Sequence, residues 1–308
     1  MATLQTTQPA AAAAQALSSP TRRAANDATL TGLQAVRWLQ LNKGARRVLR
    51  AGEEHKTDEL WEADARWISP KGPVDIQVYL RACAPSPVVA ELICSVTGLA
   101  LGLPIPEPFV VQVAPGVLQG CAVLNPAHPH LVFASLNVGG QSFAQMLDHR
   151  SDTAQRMIRK WSHLMEATAF DEWMLNNDRN MGNLIYAAQM LWMIDHAEAL
   201  GGAQRALFGL PSLVNMSLGN QLASHAVLPM TVGECAQWLG SAHQWLQTQA
   251  STLDMGVAIA CAELVHWCTS VELAELLDFL NQRRAVTHSL LCQRFSHPQL
   301  PLPTPKAA

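Results

Sequence analysis

The sequence predicts an α+β body in two parts, strands first and helices after, and three observations carry that prediction. Short alternations of apolar and polar residues, punctuated by Pro and Gly, fill the stretch up to about residue 125. Beyond Pro126 the apolar residues recur at helical spacing instead. The chain has 308 residues, 49% apolar and only 15% charged, which is enough to bury a core in each of two lobes.

The elements follow in order. Residues 1–28 are rich in Ala, Gln, Thr and Ser and read as a flexible leader; its first positive charges are Arg22 and Arg23, the reverse of the order in a secretory signal. Strands are expected at Arg47–Leu49, Ala65–Ile68 and Asp75–Arg81. In the last of these Ile76, Val78 and Leu80 alternate with Gln77, Tyr79 and Arg81 after the turn Ser69-Pro70-Lys71-Gly72-Pro73. A helix then starts with Ser86 as N-cap and Pro87 at its first position, shows Val88, Val89, Leu92, Ile93 and Val96 on one face, and stops at Gly102 and Pro104. Two more strands, Pro108–Ala114 and Val117–Leu124, flank Pro115-Gly116 and complete a sheet with one helix over 29–125.

From 126 to 295 the reading is helical. A Ser151/Asp152 cap leads a stripe of Met157, Ile158, Trp161, Leu164, Met165 and Thr168 that runs on to Phe170 and Trp173. Further helices are expected at Thr231–Thr248, Met255–Cys268 and Val271–Cys292. Residues 296–308 carry four prolines and read as a tail.

Composition narrows the function classes. A formal charge of −3 gives no positive field for a nucleic acid or an anionic membrane, and no apolar run reaches the length of a membrane span. Seven scattered cysteines without a Cys-x-x-Cys pair suit reduced thiols of a cytosolic, soluble protein.

The chemistry concentrates in one stretch. A polar loop, Asn176-Asn177-Asp178-Arg179-Asn180-Met181-Gly182-Asn183, leaves a helix; Leu184-Ile185-Tyr186 and Leu191-Trp192-Met193-Ile194 then read as a hairpin with its tip near Ala188 or Gln189, ending at Asp195. Antiparallel pairing is expected to set Asn183 across from Asp195, where an amide carbonyl and a carboxylate suit Mg²⁺ bridging nucleotide phosphates. Asp178 would then be free to orient a hydroxyl and accept its proton.

An Asp, four residues, an Asn and a hairpin ending in a second Asp is the order of the protein-kinase type. The wording here, with Ile194-Asp195-His196 downstream, resembles HipA-like kinases and their relatives the phosphatidylinositol 3-/4-kinases. Glu91-Leu92, the Leu99–Pro108 stretch and Leu276–Arg284 are similar to the bacterial HipA-like group as well. The resemblance implies a bilobal, protein-kinase-like fold with a strand-rich N-lobe and a mainly helical C-lobe. It implies ATP and Mg²⁺ as cofactors and a protein Ser/Thr hydroxyl as acceptor. By the same resemblance Asp178 is the catalytic aspartate, Asn183 and Asp195 are metal ligands, and an antitoxin-like partner protein is admitted. The chain has no helix-turn-helix of its own.

Three departures stand out. Arg81 occupies the position of the phosphate-binding lysine, with Glu91 as its expected partner. Gly44, Gly52 and Gly72 are isolated, so no Gly-rich phosphate loop precedes Arg81, and Asn180 stands where the pattern commonly has His. Such a site could also serve a nucleotide-binding pseudokinase acting as an interaction module. Plainer readings compete for individual residues. Arg81 could be a solvated strand end and Glu91 part of a polar helix face, and Lys71 could reach over in place of the lysine. His196 reads as a backbone-satisfied loop histidine, His128-Pro129-His130 as a loop, and the tryptophans as core.

Overall fold

The computed structural model describes residues 32–41, 43–48, 59–69, 72–202, 209–227 and 230–296. The leader 1–28, the tail from 297, Gly52 and Lys71 lie outside the described residues.

The first part is a barrel. Strands β1 (Arg37–Leu41), β3 (Glu59–Ser69), β4 (Gly72–Ala82), β5 (Pro108–Val113) and β6 (His130–Leu136) pair in the order β1-β5-β6-β4-β3, and the Gln40↔Arg66 pairing returns β3 to β1 and closes the ring. A short β2 (Ala45–Arg47) pairs with β3 over Trp61–Ala63, on the same edge that β1 closes on. The alternation expected for one strand holds around the whole barrel. Leu39, Leu41, Trp61, Ala63, Ala65, Val78, Leu80, Phe109, Val111, Val132 and Ala134 share one buried cluster, every second residue of each strand.

Two expectations for this part need correction. Val117–Leu124 forms turns and bends, and the last strand is β6, beyond residue 125, where His130 opens the strand and its ring Nε2 lies 2.6 Å from the Asn125 carbonyl. Strands β3 and β4 are eleven residues each, longer than the alternation suggests, because they pair continuously from Glu59↔Ala82 to Ser69↔Gly72.

Helix α1 (Pro85–Ala100) begins two residues earlier than expected, with Ala84 as N-cap and no side-chain cap; the Pro near its first position needs no amide partner there. Twelve of its residues are buried, so it has no polar face. It lies between the barrel's outer residues Val110 and Phe133 and the helical part, all in one continuous core. Gly98 is the close approach: a Cβ there would stand 2.3 Å from the Ile105 side chain.

After β6 the chain passes Gly139 and Gly140, both at positive φ, into β7 (Gln141–Ser142) and α2 (Phe143–Arg159), capped by Ser142 rather than Ser151. Gly140 admits no side chain, since a Cβ would meet the Tyr186 carbonyl oxygen at 2.2 Å. The stripe read as one helix is two, α2 and α3 (Leu164–Trp173), broken at residues 160–163. Then come β8 (Leu184–Ala187), β9 (Met190–Met193), α4 (Gln221–Val227), α5 (Val232–Thr248), α6 (Met255–Cys261) and α7 (Ser270–Ser296). The Thr231–Glu234 capping box starts α5 where the sequence predicts, whereas α6 gives way after Cys261 to a 3-10 turn at Leu264–His266. Trp173 on α3 packs on α7 and donates Nε1–H to the Leu280 carbonyl at 2.8 Å.

The body is therefore a mixed α+β structure, strand-rich first and helical later. Among the described residues no helix is long and apolar enough to cross a membrane, and no disulfide joins any of the seven cysteines.

Candidate functional site

Three segments build the site: the end of β4, the middle of α1, and the loop and hairpin from Asn176 to His196. The hairpin fixes its own register. Ala188 and Gln189 both adopt positive φ (49° and 64°), the signature of a two-residue primed turn, so Ala187 pairs with Met190 and Leu184 with Met193. One rung further, Ile194 donates its N–H to the Asn183 carbonyl at 3.1 Å. Asn183 thus faces Ile194, and the expected Asn183–Asp195 pairing is one residue out of register; a loop of two residues at 188–189 leaves no other rung. Asp195 follows directly and turns the chain with a φ of 58°, which Asp tolerates better than most residues.

The tip itself is strained, since neither Ala nor Gln favours that conformation. Replacing Ala188-Gln189 by Asn-Gly is expected to stabilise the protein by about 1 kcal/mol, read as a higher denaturant midpoint at unchanged slope. An unchanged or lower midpoint contradicts the turn assignment.

Before the hairpin, side-chain amides shape the loop. Asn176 accepts the Asp178 N–H at 3.2 Å and donates to Asp171 Oδ1 at 3.0 Å. Asn180 accepts the Gly182 N–H at 2.7 Å, and its Nδ2 donates to Asp178 Oδ1 at 3.1 Å and to the Asp178 carbonyl at 3.2 Å. Asn183 donates Nδ2 to the Asp178 carbonyl at 2.6 Å and to Asp178 Oδ2 at 3.1 Å. The Asp178 carboxylate is therefore half-buried and clamped by two amides, each oxygen keeping a lone pair for a hydroxyl. With the Asn183 side-chain nitrogen committed to Asp178, its side-chain Oδ1 is the atom that could serve a cation.

Arg81 and Glu91 meet across the barrel–helix junction. Arg81 Nε lies 3.4 Å from Glu91 Oε1, and its Nη2 lies 2.7 Å from Asp195 Oδ2. A forked guanidinium can span both carboxylates at once, which a lysine ammonium could not do along two fixed directions. Glu91 is 2% exposed, so it is no part of a solvated helix face. Its Oε2 accepts the His196 N–H at 3.0 Å and lies 3.5 Å from His196 Nδ1. His196 is held by this side chain rather than by backbone alone.

The electrostatics follow from these contacts. Burial pushes the Asp195 carboxyl up, but Arg81, by charge and hydrogen bond, outweighs it with help from Arg179 and holds the group below the usual carboxylate range. Burial, and then the charge of Arg179, lower the His196 imidazole against the pull of Glu91, so the ring is neutral at pH 7.

Sequence reasoning missed Arg179 and Asp171. Both are completely buried: Arg179 Nε and Nη2 reach the two Asp171 oxygens at 3.1 and 3.3 Å, while Nη1 donates to the Asn183 carbonyl at 3.2 Å and to the Ile194 carbonyl. Removing one member of such a pair costs about 3–5 kcal/mol. The available signal was an arginine inside a polar loop eight residues after an aspartate on the preceding helix.

Among the described residues no three His, Cys, Asp or Glu side chains converge on one cation position. The groups that could hold a cation are one carboxylate, Asp195, and one side-chain amide carbonyl, Asn183. Such a sparse all-oxygen set fits Mg²⁺, which keeps several waters and takes its remaining ligands from phosphates.

No curated protein matches the chain. Residues 80–207 match the family model described as HipA-like kinase, a match that takes in Arg81, Glu91, Asp178, Asn183 and Asp195 and supports kinase activity for this chain.

Proposed function

We propose that the protein is an ATP-dependent kinase that transfers the γ-phosphate to a Ser/Thr hydroxyl of a protein. The observation that carries this reading is the Asp178–Asn183 contact one rung from Asp195, inside a segment matched by HipA-like kinases. ATP would sit between the barrel with α1 and the helical part, in a bilobal, protein-kinase-like arrangement. Asn183 and Asp195 would hold Mg²⁺, which supplies charge neutralisation on the phosphates. Arg81 would turn its fork from Asp195 to the phosphates while Glu91 keeps its orientation. Asp178 would receive the acceptor hydroxyl on a free lone pair, aim it in line with the phosphorus and accept its proton. In this reading the protein works in the cytoplasm, with an antitoxin-like protein as partner.

One observation favours a second reading. Arg81 Nη2 is paired with Asp195 at 2.7 Å, which sets a positive charge beside the metal carboxylate and suits a nucleotide-binding interaction module without turnover. Incubating the full chain with γ-labelled ATP and Mg²⁺ separates the two. Metal-dependent transfer of label to protein, or its release as phosphate, is the expected result. Thermal stabilisation by ATP with no turnover supports the module, and no response to nucleotide overturns both.

A further inference from the structure

We infer that Arg179, gripped by Asp171, is a positioning residue that sets the Asn183–Ile194 rung and thereby the spacing between the two metal donors. The inference rests on the kinase reading above. Its basis is that one guanidinium, with no solvent exposure, satisfies both carbonyls of that rung from a single Nη1. Those carbonyls belong to Asn183 itself and to the residue before Asp195. The two candidate ligands thus reach Arg179 through the backbone, not through their side chains, and a shift of the guanidinium moves both donors together.

Asp171 completes the arrangement. Its two oxygens take Nε and Nη2, which fixes the plane of the fork and leaves Nη1 aimed at the rung. Asp171 also receives the Asn176 amide at 3.0 Å, and Asn176 in turn accepts the Asp178 N–H. One buried carboxylate on α3 therefore indexes the proton-accepting aspartate and the metal rung to the same helix. Asp171 supplies Arg179 with a permanent counter-charge.

The test is Arg179→Lys in the full chain, which keeps the charge but cannot meet all these acceptors. Two readouts apply: amide hydrogen exchange without ligand, and ATP affinity with Mg²⁺ against ATP affinity in chelator. The Ile194 amide is expected to exchange at least ~10-fold faster relative to the Leu80 amide in the barrel. The Mg²⁺-dependent gain in ATP affinity is expected to fall about 10–100-fold, while affinity in chelator stays within about twofold.

Faster exchange spread evenly over the protein, or a Mg²⁺-dependent gain equal to wild type, overturns the inference. If Arg179→Lys does not fold, Asp171→Asn carries the same two measurements; if neither folds, the pair serves stability alone and the inference is rejected. Should the wild type show no Mg²⁺-dependent gain, the nucleotide reading fails, and the exchange comparison still decides whether Arg179 sets the rung.

Discussion

Asp178→Ala is expected to lower phosphoryl transfer by about 10³-fold and to leave the fold nearly untouched, a combination read by single-turnover kinetics beside a thermal melt. In the proposed reading the activity loss follows from removing the group that would orient and deprotonate the acceptor. The small structural effect follows from what stays behind. Asn180 and Asn183 each donate to the Asp178 carbonyl as well as to its carboxylate, so the Ala variant leaves neither amide without a partner. The residue is half-buried, so no sealed cavity opens. Transfer within about threefold of wild type would remove Asp178 from the chemistry.

The second large effect is expected from Asp195→Asn. The amide keeps the size of the side chain and discards the charge that pairs with Arg81 at 2.7 Å and that, in the proposed reading, would bind the cation. Transfer at saturating ATP is expected to fall about 10²–10³-fold, and Mg²⁺ is expected to lose its effect on nucleotide binding. Unlike Asp178, this residue also carries structural weight. Losing the ionised partner of a mostly buried guanidinium costs about 1–3 kcal/mol, so the melt moves as well. Glu91 remains beside Arg81 and limits that loss. A variant that binds ATP with the same Mg²⁺ dependence as wild type would take Asp195 out of the metal site.

The two variants differ for a reason visible in the contacts. Asp178 is held by neighbours in its own loop, all within five residues. Asp195 is held by a strand more than a hundred residues away in sequence. A pseudokinase would show the second difference in binding without the first in turnover.

How far the site could be read from the chain alone divides along the same line. The loop residues announce themselves: Asn, Asp and Gly packed between a helix and two short apolar runs can only be a turn-rich loop, and the hairpin tip follows from the interval between those runs. The rung assignment failed by one residue because a tip centred on Gln189 sets Asn183 against Asp195, whereas the two-residue tip at 188–189 sets it against Ile194. Val117–Leu124 failed as a strand although it is as apolar as β6, since hydrophobicity without a neighbour to pair with does not make a strand. The stripe from Met157 to Thr168 kept its period across a break, and spacing alone does not register a turn of four residues between two helices.

By itself the sequence determined the class of body and marked out the polar loop and the hairpin with their oxygen-bearing side chains, because these depend on local spacing and on the chemistry of single side chains. Only the tertiary structure decided that Arg81 grips two carboxylates, that Glu91 is sealed inside rather than solvated, and that Arg179 ties the Asn183–Ile194 rung to α3. Each of these is a buried charge whose partner lies on another element, and a chain read in one dimension carries no record of which distant groups will share a low-dielectric interior.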